Sequence, residues 1–366
     1  MTLNLRAALR DLPPYTPPQE GRTGLRLDFN ENTVGCSPAA LAALHATTAE
    51  DLARYPAYEE AEADIAAAFG HTSATALLTN GVDDAILLAT MALLDPGDEA
   101  LIPSPSFALY RFYCQQCGVR PVELSYRSEP VGPGVNEFCL GAADLLAAVG
   151  ERTRAIFLAT PNNPTGHVWP LAQVLELARA LPQCLIFADE AYADFVAPSY
   201  AGLLPEVQRQ PNLLVARTFS KAYGLAGARL GCLFAHPDLL PGLRKIHSPY
   251  NVNTLAVRCA RAAVADAAWV EDYRRQAIAS RGLIEATLAE LGIPYWRSAA
   301  NFVLFDAGGG AEAVLAGMRR RAILIRDRRA DWPGALRITC GTVDHTQRAC
   351  AALREVWSAA AAEVVR

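Results

Sequence analysis

Lysine is almost missing from this chain. Of 33 basic side chains only Lys221 and Lys245 are lysines, the rest being arginine. A GC-rich coding sequence favours arginine codons, and the lysines that survive such drift mark positions where arginine cannot substitute. An amine condenses with a carbonyl to form an imine, and a guanidinium does not. Long apolar runs are missing too: no stretch of 18 apolar residues occurs, and Met1–Pro14 carries charges where a leader would be apolar. A transmembrane helix and a secretory leader are excluded, which predicts a soluble, cytoplasmic chain with no membrane partner. Like charges never run beyond three residues and the net charge is −5, so no stripe for nucleic acid exists. The 6 histidines show no ligand spacing, and no metal is expected. The 9 cysteines, odd in number and scattered from Cys36 to Cys350, form no disulfide framework and read as small core residues in a reducing compartment. Cys114-Gln-Gln-Cys117 has redox-motif spacing but falls in a helical pattern, and it reads as packing.

What is present is ample apolar material: 366 residues at 52% hydrophobic content can build more than one full core. Between residues 76 and 235, short runs rich in Val, Ile, Leu and Phe alternate with helix-period segments, the pattern of βαβ units around a mostly parallel sheet. Seven strands are predicted there: Ala76–Thr79, Ala100–Pro103, Arg120–Leu124, Ala155–Ala159, Leu185–Ala188, Leu213–Arg217 and Leu230–Ala235. Beyond residue 255 comes a long helical stretch, Leu255–Leu291, followed by strands and helices in an α+β order. The expected architecture is α/β: a three-layer αβα large domain over 46–255 with a seven-stranded sheet, and a smaller α+β domain built from both termini, 1–45 and 256–366.

Three polar clusters follow predicted strands, where open α/β sheets build ligand sites. Thr160-Pro-Asn-Asn-Pro-Thr-Gly166 follows one strand, Asp189-Glu-Ala-Tyr192 the next, and Thr218-Phe-Ser-Lys-Ala-Tyr-Gly224 the third. Together they offer an anion cradle, a carboxylate and a lone lysine. Asp83-Asp84 opens a helix whose free N–H groups suit a phosphate, and Asp83 reads as its cap.

With these clusters in view, the whole chain resembles fold type I pyridoxal-phosphate aminotransferases, and within them the histidinol-phosphate aminotransferase family. The residues in register are Asn30-Glu-Asn32, Arg54-Tyr-Pro56, Pro161–Gly166, Asp189–Tyr192, Arg217–Gly227 with Arg229, Ser248-Pro-Tyr250, Asn301-Phe-Val-Leu-Phe305 and Leu336-Arg-Ile-Thr339. The resemblance implies that Lys221 bonds the aldehyde of pyridoxal 5'-phosphate and moves the proton at the substrate Cα. It implies that Asp189 faces the ring nitrogen and keeps it protonated, making the ring an electron sink. Tyr192 and Asn163 would flank the ring oxygen, and Phe107 would stack on the ring. Arg229, Thr218, Ser220 and the Gly81-Val82-Asp83 turn would hold the cofactor phosphate. Arg337 would grip a substrate anion, with Arg326 and Tyr15 adding a phosphate-binding pair and Asn30 and Tyr250 completing the substrate side. Tyr55 would reach the cofactor of a neighbouring subunit, which implies a homodimer.

The implied reaction is transfer of the amino group of L-histidinol phosphate to 2-oxoglutarate. Three other readings stay open on the residues: an aromatic amino-acid aminotransferase, in which Arg326 is incidental; a threonine-phosphate decarboxylase; and a non-catalytic cofactor-binding regulatory module. Arg326, Arg328 and Arg329 are equally readable as a solvated basic turn. The sequence departs from the family pattern at Thr33, Val34, Cys36, Asp84, Phe107, Thr160 and Asp194, none of which bears on the imine, the ring nitrogen or the phosphate arginine.

Overall fold

The computed structural model describes residues 4–10, 12–14, 21, 23–197 and 200–364, with side chains as far as 359. Its strands, in chain order, are β1 (Leu25–Leu27), β2 (Ala76–Thr79), β3 (Glu99–Ser104), β4 (Arg120–Ser125), β5 (Arg127–Gly132), β6 (Val135–Cys139) and β7 (Thr153–Ala159). There follow β8 (Leu185–Asp189), β9 (Leu213–Thr218), β10 (Gly231–Phe234), β11 (Tyr295–Trp296), β12 (Phe302–Asp306), β13 (Ile323–Asp327) and β14 (Ala335–Thr339). They form two sheets of seven.

The first sheet has the order β2-β10-β9-β8-β7-β3-β4, and only β10 runs against the others. All seven predicted strands are found in it. Both faces are covered, so its strands read as unbroken apolar runs. The period of two still sorts the side chains. Ile156, Leu158, Ile186 and Val215 face a core shared with the helices Leu171–Ala180 and Thr254–Ala265. Phe157, Phe187, Leu214 and Ala216 face the helices Val82–Leu93 and Leu109–Cys117. Cys114 is buried on the second of these, where burial pushes its thiol up to about 12, and Cys117 is a free thiol, so the Cys-x-x-Cys spacing serves packing. Register aligns Ala159 with Asp189 and Asp189 with Ala216. The three polar loops after β7, β8 and β9 therefore leave one edge side by side.

The second sheet has the order β1-β13-β14-β12-β11-β6-β5. Strand β1 joins β13 in parallel, so this N-terminal strand completes the C-terminal layer. Two features differ from expectation. The hairpin β5–β6 lies inside the 46–255 span, yet β6 pairs with β11 and extends the second sheet. Its first strand is mostly exposed and carries Pro130, so it has neither the apolar run nor the alternation that marks a strand. Phe138 stacking on Trp296 at 5.2 Å anchors it. The short helix Ala7–Arg10 leans on Leu109–Cys117 of the large domain, where Arg6 donates to the Gln116 carbonyl, and so does not join the small one. The stretch 255–291 is two helices, Thr254–Ala265 and Ala267–Glu290, broken at Asp266.

Candidate active site

Lys221 stands three residues past β9, on a loop shaped from both sides. Thr218 Oγ1 accepts from the Ser220 N–H (3.1 Å), and the Gly224 N–H returns to the Lys221 carbonyl (3.1 Å). Gly224 has φ +68°, and a Cβ there would sit 1.9 Å from the Gly35 carbonyl oxygen. Only glycine lets the N-terminal segment cross so closely. That crossing brings Phe29 over the loop, and the Lys221 amine donates to its carbonyl at 3.1 Å while lying 5.6 Å from the Tyr192 ring centre. Beneath the loop Arg217 bridges two carboxylates, Glu190 at 3.2 Å and Asp194 at 2.6 Å, with Glu190 fully buried.

A cavity of about 230 Å³ opens at the amine, lined by Asp83, Phe107, Asn163, Asp189, Tyr192 and Arg229 among others. Asp189, at the tip of β8, is 5% exposed. Its Oδ1 accepts from the Ala191 N–H (2.9 Å) and its Oδ2 from the Tyr110 hydroxyl (2.6 Å). Burial outweighs both bonds and pushes its carboxyl up to about 6. Tyr110 is fully buried, stacks on Phe157 and meets Phe107 edge-on. Sequence reading missed it, because an aromatic in the first turn of an amphipathic helix reads as core. Tyr192 Oη accepts from Asn30 Nδ2 at 3.0 Å, leaving the phenol proton free to donate toward the cavity. Asn30 thus acts on Tyr192 as well as lining the cavity's further lobe.

Arg229 reaches back across the sheet to the start of the helix Val82–Leu93. It donates to Asp83 Oδ2 at 3.0 Å and to Ser220 Oγ at 3.4 Å. The expectation that Asp83 caps this helix is corrected: it pairs with Arg229, and Gly81 holds the N-cap without a side-chain bond. Burial raises the Asp83 carboxyl and Arg229 lowers it. Gly81 has φ +82°, and a Cβ would come within 2.5 Å of Arg229 Nη2. The Nη2 end of the guanidinium therefore sits against a turn with no side chain, at the N-terminus of a helix: an anion cradle.

A second lobe of about 210 Å³ shares Phe29, Phe107, Asn163, Tyr192 and Lys221 with the first and adds Arg326, Arg328, Asp331 and Arg337. Arg326 and Arg337 are cross-strand neighbours in the β13–β14 register. Arg337 is 4% exposed; it donates to the Asp28 carbonyl (2.8 Å) and to Asn163 Oδ1, while its buried Nε has no partner. Its charge is disfavoured first by burial and next by Arg328, with Arg326 adding to both. Arg326 lies over the Phe29 ring at 5.1 Å. Arg329 departs from this group, since it is engaged outside by Asp327 and Glu312. The basic turn is therefore split, with Arg326 and Arg328 facing the cavity and Arg329 facing solvent.

Two expected residues are not brought here within one chain. Tyr55 and Tyr250, 76% and 55% exposed, stack on each other at 4.2 Å and line neither lobe. Tyr15 lies outside the described residues. Among the described residues no helix is long and apolar enough to cross a membrane, and no group of His, Cys, Asp or Glu could hold a metal.

The sequence matches the family described as aminotransferase class I and II over residues 22–353. Histidinol-phosphate aminotransferase of Ruegeria pomeroyi is 38% identical over 87% of this chain and 86% of its own length. That of Symbiobacterium thermophilum is 34% identical over 96% and 98%. Among solved structures, histidinol-phosphate aminotransferase from Sinorhizobium meliloti in complex with pyridoxal-5'-phosphate superposes with a TM-score of 0.85, at 28% identity over 98% of this chain and 99% of that one.

Proposed function

This chain belongs to the aminotransferase class I and II family, and we propose that it transfers the amino group of L-histidinol phosphate to 2-oxoglutarate, giving imidazole-acetol phosphate and L-glutamate. The family depends on pyridoxal phosphate, and the residues here fit that group. The cavity brings an amine, a buried carboxylate, a phenol and an anion cradle within one volume, and Gly81 leaves Arg229 a surface that any Cβ would fill. Lys221, Asp189, Tyr192, Asn163, Phe107 and Arg229, with Thr218, Ser220 and the Gly81-Val82-Asp83 turn, would hold it.

When bound, the cofactor supplies an aldehyde that exchanges amines and a ring that withdraws electrons from the substrate Cα. The chain's own residues do the rest. Lys221 carries the proton to and from Cα. Asp189, ionised, keeps a proton on the ring nitrogen, and the Tyr110 hydroxyl holds the carboxylate in place for it. Tyr192 and the Asn163 amide would donate to the ring oxygen; Asn163 has its Nδ2 available for that, since its Oδ1 is taken by Arg337.

The single observation that carries the substrate is the register-paired arginine couple Arg326–Arg337 beside Lys221, Arg337 buried with its Nε unpartnered and Arg326 half-buried. Two guanidiniums at one end of the lobe match a phosphate dianion better than one carboxylate. The test is a donor panel on cofactor-loaded protein: histidinol phosphate, phenylalanine and threonine phosphate, scored for single-turnover rate and for carbon dioxide. Fastest turnover of histidinol phosphate with no gas release is expected. Preference for phenylalanine makes this an aromatic aminotransferase, and gas release from threonine phosphate makes it a decarboxylase.

The same reading makes the protein a cytoplasmic homodimer. Free thiols at all nine cysteines suit a reducing compartment. The exposed Tyr55–Tyr250 stack, with Leu52 62% exposed nearby in sequence, is an apolar face that a second copy would cover, carrying Tyr55 to the neighbouring cofactor. A one-chain mass by light scattering at full activity would overturn the dimer.

A further inference from the structure

The substrate lobe holds a third inward guanidinium that the sequence reading assigned to no role. Arg328 follows Arg326 by two residues, and its N–H continues the ladder to the Ala335 carbonyl (3.0 Å), so the two side chains share one face. It lines the lobe with Arg326, Arg337, Asn163 and Lys221. Its Nε meets Asp331 Oδ2 at 2.7 Å, and both side chains are mostly buried, 16% and 27% exposed. The turn that carries Asp331 is closed by its own N–H on the Arg328 carbonyl (2.9 Å), which fixes the pair locally.

Two independent observations say what the cluster is built around. The first is charge: among the described residues that line the lobe, four are cations, Lys221, Arg326, Arg328 and Arg337, gathered with the carboxyls of Asp28 and Asp331 between Phe29 and Phe107. Guanidiniums gathered in so sheltered a place bind an entering anion more strongly than they would in open solvent. The second is the position of Asp331, whose carboxyl is raised by burial and lowered by Arg328, Arg337 and Arg326 in turn. One carboxylate thus already sits in the field of all three guanidiniums, which marks where an anion rests. Arg328 is also the neighbouring charge that bears most on Arg337.

We propose that Arg328, oriented by Asp331, is the third guanidinium of the substrate's anion subsite and sets its preference for a phosphate dianion over an uncharged or singly charged terminus. This rests on the aminotransferase reading above and adds a specificity residue to it. Loss of Arg328 should therefore fall hardest on donors that carry the phosphate.

The experiment compares histidinol phosphate with histidinol as single-turnover donors of the cofactor-loaded protein, and measures binding of inorganic phosphate to the same protein by calorimetry. For Arg328→Gln the ratio of the two kcat/KM values should fall about tenfold or more, with phosphate binding weakened in parallel. Arg328→Lys, which keeps the charge and loses the fork, should fall between. Asp331→Ala should lower the ratio less than Arg328→Gln, and the double variant should be no worse than Arg328→Gln alone, since Asp331 acts through Arg328. An unchanged ratio in Arg328→Gln, or losses that multiply in the double variant, would overturn the assignment. A wild type that does not distinguish the two donors would instead overturn the phosphorylated-substrate reading itself.

Discussion

The two lobes that meet at Lys221 handle charge in opposite ways. In the first, the charged groups have hydrogen-bond or ion-pair partners in place: Arg229 meets Asp83, Asp189 accepts from a phenol and an N–H, Lys221 donates to a backbone carbonyl, and Arg217 below the loop meets Glu190 and Asp194. In the second, Asp331 pairs with Arg328 and lies in the field of Arg337 and Arg326, and Arg337 is supported by an amide and a backbone carbonyl, with one buried N–H unpartnered. A balanced set holds its shape without a guest, which suits a cofactor that stays through many turnovers. An unbalanced buried set gains most when an anion arrives and loses it when the anion leaves, which suits substrates that exchange.

The contrast is broken most severely at the unbalanced end. Arg337→Ala should lower kcat/KM by about a hundredfold for both amino donor and oxo-acid acceptor, since it removes a charge-assisted bond common to both. Arg326→Ala should cost about ten- to hundredfold with histidinol phosphate and little with phenylalanine, which offers no second anion. Equal slowing of both donors would show that Arg326 does not read the phosphate.

At the balanced end the expected effects are smaller and depend on pH. Burial holds the Asp189 carboxyl at about 6, so in the cofactor-free protein it is protonated below that pH and ionised above it. That value lies above the ordinary one for Asp. Ionising the group therefore costs the cofactor-free fold stability as pH rises through 6, and a cationic ring nitrogen opposite it returns that stability. Cofactor affinity should rise about tenfold from pH 5 to pH 7, and the rise should vanish in Asp189→Asn. A flat profile in the wild type would remove Asp189 from the ring nitrogen. Smallest is Tyr110→Phe, which keeps the aromatic packing and deletes one bond to Asp189. It should weaken cofactor binding severalfold and move the midpoint of that pH profile upward, because the carboxylate loses a donor that favours its charge. An unmoved midpoint would leave Tyr110 a packing residue.

The large sheet and the first lobe were legible for one reason. Parallel strands covered on both faces appear as apolar runs, and the polar tips of β7, β8 and β9 carry contiguous motifs that one edge brings together. What was hidden depends on pairings between distant segments. The hairpin β5–β6 joins the second sheet through β11, about 160 residues later in the chain. Tyr110 reads as core until Asp189 is seen 2.6 Å away. Arg328 and Arg329 are adjacent and alike in sequence, and only the alternation past β13 sends one inward and one outward. Arg326 and Arg337 were paired by resemblance, and their shared register supplies the physical reason.

The chemistry rests on Lys221 as the amine that holds the cofactor, and the scarcity of lysine makes this easy to decide. Borohydride reduction of cofactor-loaded protein, followed by peptide mapping, has two side-chain amines to distinguish. Lys221 lies in the cavity between Phe29 and Tyr192, whereas Lys245 is exposed after the helix Leu240–Arg244. The reduced cofactor should be found on the peptide carrying Lys221, with Lys221→Ala both unlabelled and inactive. Label on Lys245, or full turnover by Lys221→Ala, would contradict it.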